Sequence, residues 1–154
     1  MKNTSISLTL LSSAILIIAC FSHPEFTDKD RLEIIRLTLE RAVIAAEVPD
    51  YHLIRDKQNI ILSTENITPD LVPQIPGVNF ALIDQEQIQR MTHTEKYLSF
   101  LSFKEISYRQ GKVIVKIVNT NMSRQSGLHA GSLIIEYNKE KGKWIGRVTE
   151  TTVS

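Results

Sequence analysis

Apolar and polar positions follow two different periods along this chain. From residue 27, Leu32, Ile35, Leu39, Ala42, Val43 and Ala46 recur at helical spacing, which predicts one long helix with a single apolar face. Thr27-Asp28-Lys29-Asp30 reads as its start, with Thr27 as cap and acidic residues in the first turn. Arg31, Glu33, Arg36, Glu40 and Arg41 fall mostly on the other side, and Pro49-Asp50 stops the helix. The five residues Asn59–Ser63 then read as a short strand, and 64–77 as a loop holding Pro69, Pro73 and Pro76. Residues 78–83 are extended. Asp84-Gln85-Glu86-Gln87 repeats the capping pattern, predicting a short helix through Ile88 and Met91 that ends near His93.

The last third changes to strand periodicity. Residues 97–108 are rich in aromatic and branched side chains, but their apolar phase moves from Leu98/Phe100 to Leu101/Phe103 and back at Ile106/Tyr108. Such a change predicts a bulge or bend that re-aims one face of the strand. Arg109-Gln110-Gly111-Lys112 is a hairpin turn leading into a strand at 113–118. Residues 119–130 are polar, with Gly127 and Gly131 nearby, and read as a loop. Strands at 133–137 and 144–153 follow, separated by a turn ending at Gly142. Short strands joined by glycine-containing turns predict an antiparallel meander. The fold class is therefore α+β: a long N-terminal helix packed on a bent antiparallel sheet with a C-terminal four-strand meander.

The first 20 residues stand apart. Lys2 supplies a positive start, Leu8, Leu10, Leu11 and Ala14 to Ile18 an apolar stretch, and Ala19 a small residue before Cys20, the only cysteine. The stretch is interrupted by Thr9, Ser12 and Ser13 and is shorter than the ~20 apolar residues of a spanning helix. It has the three parts of a secretory signal. Ile17-Ile18-Ala19-Cys20 resembles the lipobox of bacterial lipoproteins. That resemblance implies cleavage before Cys20 and acyl chains on it, hence an exported protein held at a membrane by more than one chain, as stable anchoring requires. The other reading of the same residues is an ordinary signal peptide. Phe21 and Ser22 follow the cysteine, with no Asp at the second position. In a Gram-negative host this implies the outer membrane.

This divides the chain into a signal peptide at 1–19, a lipidated Cys20 with a tether to residue 26, and a single domain at 27–154. Of the 18 basic residues only Lys2 would be removed, leaving 17 basic against 17 acidic. Without net charge, the composition gives no footing for nucleic acid. With Cys20 lipidated, neither a disulfide nor a thiol nucleophile remains.

The order of elements resembles the NTF2-like (cystatin-like) superfamily, and Glu136-Tyr137-Asn138-Lys139 followed by Gly142-Lys143-Trp144 looks like the terminal hairpin of its small members. Enzymes of that shape place Asp, His and Tyr inside a cone. The corresponding acid/base candidates are Tyr51, His52, Asp56, His93, Tyr97 and His129, and no pair of them forms a catalytic motif. No catalytic residue is assigned. The four histidines lack paired ligand spacing, so no metal is expected. No Gly-x-Ser-x-Gly elbow or phosphate loop occurs, and no cofactor is implied. The sequons at Asn66 and Asn121 read as chance. A bent sheet could leave aromatic side chains around an apolar ligand; Tyr97, Phe100 and Phe103, with His129 at the mouth, are the candidates.

The preferred reading is a membrane-anchored envelope lipoprotein whose domain binds a small apolar ligand or an envelope protein without catalysis. The alternative is a small lyase, isomerase or hydrolase using a buried acid/base residue. A structural or inhibitory role is not separable from the first on sequence alone.

Overall fold

A computed structural model describes residues 26–154. The signal at 1–19, Cys20 and all of the tether except Phe26 lie outside the described residues. Thr27 caps α1 (Asp28–Leu39) as expected: the Asp30 N–H donates to Thr27 Oγ1 at 3.1 Å, and the Thr27 N–H donates back to Asp30 Oδ2 at 3.1 Å. This reciprocal pair satisfies two backbone donors that a helix start otherwise leaves open. After Leu39 the helix widens into a π-helical turn at Glu40–Ile44, in which the Ala45 N–H reaches the Glu40 carbonyl at 3.1 Å. It ends before Pro49, because Ala46 turns left-handed (φ 54°) and the Glu47 N–H closes on the Arg41 carbonyl at 3.0 Å.

The buried face of the helix differs from the expected one at its ends. Ile35, Leu39, Ala42 and Val43 are buried as expected, together with Asp30, Ile34 and Thr38, whereas Leu32 is 40% exposed and Ala46 lies in solvent. Asp30 sets this rotation. Its carboxylate must face the terminal hairpin, which carries Ile34 and Thr38 inward one and two turns on and leaves Leu32 outside.

Six strands form one sheet: β1 (Asn59–Ser63), β2 (Asn79–Ile83), β3 (Tyr97–Arg109), β4 (Lys112–Ser123), β5 (Gly127–Glu140) and β6 (Lys143–Val153), in the order β2-β1-β3-β4-β5-β6. The last four form the antiparallel meander. The remainder corrects the all-antiparallel expectation, because β1 runs parallel to both β2 and β3. Parallel neighbours need long crossovers. Residues 64–78 supply one, and α2 (Gln85–Thr94), capped by Asp84 and Gln87 as expected, supplies the other. The sheet is not closed, and β2 and β6 are its edges.

The two crossovers lie on opposite faces. Ile67 and Ile75 of the first join α1 over the main core, with Leu101, Phe103, Leu133, Ile135 and Tyr137. Ile88 of α2 packs with Leu98 and Phe100 on the other face. The phase pattern of β3 thus has two causes. From Leu98/Phe100 to Leu101/Phe103 the strand is covered on both faces. Between Phe103 and Glu105 the register shifts, so that Ile106 and Tyr108 face the main core again. The Asn66 side chain donates to the Phe103 carbonyl at this bulge, at 2.7 Å. The prolines of 64–77 therefore belong to a packed segment with a short 3-10 turn at Pro69–Leu71, rather than an open loop.

Residues 119–130 are not a loop either. β4 and β5 continue through them, and only 124–126 turn the chain. Part of their polar character comes from Asn119 and Asn121, both buried: Asn119 holds the segment after α1, whereas Asn121 Oδ1 accepts from Ser99 Oγ of β3 at 2.7 Å. Asn119 Nδ2 donates to the Pro49 carbonyl at 3.1 Å, and Gly131 opposite leaves room for Pro49: a Cβ there would lie 2.5 Å from that carbonyl oxygen. Phe26, assigned to the tether, is part of the fold. Its ring stacks on Tyr108 at 5.2 Å and meets Trp144 edge-on at 6.2 Å.

Candidate functional site

The terminal hairpin and α1 are joined by one buried carboxylate. Asp30 Oδ1 accepts from Trp144 Nε1 at 2.8 Å and from Lys139 Nζ at 2.7 Å, while Oδ2 accepts from Thr27. Burial alone would raise its pKa, but the donors from Lys139, Thr27 and Trp144 outweigh that and hold the carboxyl well below the usual carboxylate range. Farther along the helix, Thr38 Oγ1 and the Tyr137 hydroxyl share a hydrogen bond at 3.0 Å. Burial pushes the Tyr137 phenol up to about 12, so it stays neutral. Its ring lies over Gly146, where a Cβ would come 2.5 Å from the ring edge. Arg41 donates to the Gly146 carbonyl at 2.8 Å and pairs with Glu47 at 2.7 Å.

These contacts hold β6 beside the helix without covering the space between them. An apolar groove of about 660 Å³ remains, floored by Tyr137, Trp144 and Gly146 and walled by Leu37, Ile44, Ile75 and Ile145. The π-helical turn shapes one wall: it carries Ile44 outward, 59% exposed, facing the opening as does Ile145 (50% exposed) on β6. π turns frequently occur at functional sites, and this one places a branched apolar side chain at a rim that polar residues ordinarily occupy.

The residues singled out from sequence fall elsewhere. Tyr97 and His129 line one smaller cavity of about 370 Å³ at the far end of the sheet. Phe103 is fully buried in the main core and Phe100 is buried under α2, so neither borders a cavity with them. Among the acid/base candidates, His52 and His93 are exposed. Asp56 accepts from the backbone N–H groups of Gln58 and Asn59, both at 3.0 Å, and is lowered by the hydrogen bonds from Asn59 and Gln58. Burial raises the half-buried Tyr51. No two of the six are hydrogen-bonded to each other among the described residues. Nor do those residues contain a cluster of three His, Cys, Asp or Glu side chains able to hold a metal. No described helix is long and apolar enough to cross a membrane.

Leu37 and Ile44 lie off the apolar face expected for the helix, and Ile145 lies in the last strand; Leu37 and Ile44, seven residues apart on one helical stripe, are the sequence signal for this groove. No family model, curated protein or solved structure matches this chain.

Proposed function

We propose that this protein is a non-enzymatic envelope lipoprotein, anchored through Cys20, whose domain binds one apolar molecule the size of an acyl chain in the groove between α1 and β6. The observation that carries the binding part is the apolar opening itself, with Ile44 and Ile145 exposed above a floor of Trp144 and Tyr137. Its volume falls within the roughly 300–1,000 Å³ of small-ligand sites, and its lining is mostly aliphatic and aromatic, as in such sites. The anchor rests on the lipobox resemblance. The resemblance to the NTF2-like superfamily accompanies this reading as its fold-level counterpart, supported by the long helix over a long-stranded meander. The parallel β1–β3 edge departs from it.

Trp144 is the single tryptophan and lines the groove, so the protein's tryptophan emission comes from the groove's floor. Titration with dodecanoate is expected to shift that emission saturably. Ile44→Glu with Ile145→Glu is expected to weaken binding about tenfold or more, since each isoleucine loses favourable apolar burial against the ligand. Both side chains are exposed, so the thermal midpoint should barely move. An unchanged affinity in the double variant would remove the groove from the account. For the anchor, Cys20→Ser is expected to move the protein from the membrane fraction to the soluble fraction, and full membrane retention of the variant would contradict it.

A further inference from the structure

We infer that the groove beside β6 selects single-chain amphiphiles with an anionic head, and that Arg41 is the residue that sets this preference. The inference rests on the groove reading above and adds the chemistry of the ligand's polar end. Leu37, Arg41 and Ile44 stand at i, i+4 and i+7 along the helix and all line the groove, so they share one stripe. Arg41 places a positive charge between two aliphatic side chains. Among the described lining residues, Glu40 is the only other charged one.

The guanidinium is held at the groove floor. Its Nη1 donates to the carbonyl of Gly146, a floor residue, at 2.8 Å. Nε donates to Glu47 Oε2 at 2.8 Å, and Nη2 lies 2.7 Å from the same oxygen. The charge is felt on the floor: burial raises the Tyr137 phenol, and the Thr38 hydrogen bond and then Arg41 pull it partly back. A guanidinium carries five N–H groups. Glu47 and Gly146 use at most three, which leaves one N–H on each terminal nitrogen without a partner among the described residues. Arg41 keeps 28% of its side chain exposed, so a ligand can reach it. Carboxylate and phosphate oxygens accept from such N–H groups in short, charge-assisted bonds.

Glu40 does not supply the opposite preference. Its Oε1 is tied to Arg36 one turn back at 2.7 Å. A neutral head would leave the open N–H groups of Arg41 to water, and a cationic head would be repelled by it. Glu47 limits the affinity, because it occupies part of the same guanidinium and repels an incoming anion. Its side chain is 33% exposed, so its pair with Arg41 is weak enough for a ligand to compete. An alkyl chain ending in an anion occurs in fatty acids and in alkyl phosphates alike.

The test is a set of Trp144 emission titrations with four probes of equal chain length: dodecanoate, dodecyl phosphate, methyl dodecanoate and dodecyltrimethylammonium. At least one anion is expected to bind about tenfold more tightly than the methyl ester, as a hydrogen bond to a charged group gives. The tighter anion separates carboxylate from phosphate. In Arg41→Gln the preference for the anion is expected to fall to about parity, whereas a purely structural arginine would weaken ester and anion alike and leave their ratio standing. In Glu47→Gln the preference is expected to rise severalfold, since the competing carboxylate is gone while the tie to Gly146 remains. Glu47→Gln is decisive even where Arg41→Gln fails to fold, and an unraised preference there overturns the proposal. So does a methyl ester or trimethylammonium probe that binds the wild type as tightly as the anions, or an Arg41→Gln variant that keeps the wild-type ratio. Those results leave the groove itself in place. Absence of a saturable shift with every probe removes the groove and the head preference together.

Discussion

Asp30→Ala is expected to destabilise the domain by about 3 kcal/mol, measured as a lower urea midpoint at neutral pH, because it leaves the Lys139 ammonium and three other donors, the Thr27 N–H, Thr27 Oγ1 and Trp144 Nε1, without their acceptor. The figure sits at the low end for a broken buried pair, since Lys139 keeps 37% of its side chain in solvent and can rehydrate. The substitution removes the N-terminal cap partner of α1 and the acceptor of Trp144 Nε1 together. A surface capping residue would lose only about 1 kcal/mol, so the size of the effect separates a buried tie from an ordinary cap. The pH dependence follows from the same contacts. The native carboxyl titrates below its unfolded value of about 3.9. Its contribution is therefore complete above that pH and is lost progressively as pH falls below about 4 toward the native value. Asp30→Asn should flatten this acid limb of the stability curve, and an unchanged limb would show that the acid transition belongs to other groups.

The second large effect is expected at Gly146. A methyl group there would lie 2.5 Å from the Tyr137 ring, which is fully packed and hydrogen-bonded to Thr38, so it cannot swing aside freely. Gly146→Ala should lower stability by about 1–3 kcal/mol through overpacking. It should also weaken dodecanoate binding, because Tyr137 and Gly146 form the floor of the groove. The checks are a thermal scan and the Trp144 titration on the same sample. Wild-type stability would show that the ring relaxes at no cost. Wild-type affinity in a destabilised variant would place the ligand elsewhere.

The elements legible in the sequence were those fixed by local chemistry. Both capping boxes, at Thr27/Asp30 and Asp84/Gln87, are where the residue spacing puts them. The Gln110-Gly111 turn is tight as expected, with φ of 51° and 80°, a pair that the primed hairpin turns require. The bulge in β3 also followed from the apolar phase. What escaped were features set by distant partners. Asn119 and Asn121 look like loop residues until the segment at 49–53 is placed above them. The parallel pairing of β1 with β2 and β3 leaves little trace in strands of five residues. At the candidate sites, Tyr97 and His129 do share a cavity, whereas Phe100 and Phe103 were assigned to a pocket and fill the two cores instead. The periodicity of an aromatic strand does not say which of its two faces is covered. Ile44 and Ile145 reach the groove through a π-helical turn and an edge strand, and neither is encoded by a short local pattern.

The most direct test of the central reading is native mass spectrometry of the protein extracted gently from its own membranes. The expected species is residues 20–154 with acyl chains on Cys20 and one non-covalent apolar molecule, and that molecule should be absent from the Ile44→Glu, Ile145→Glu variant. An unlipidated, ligand-free chain would contradict both the anchor and the occupied groove.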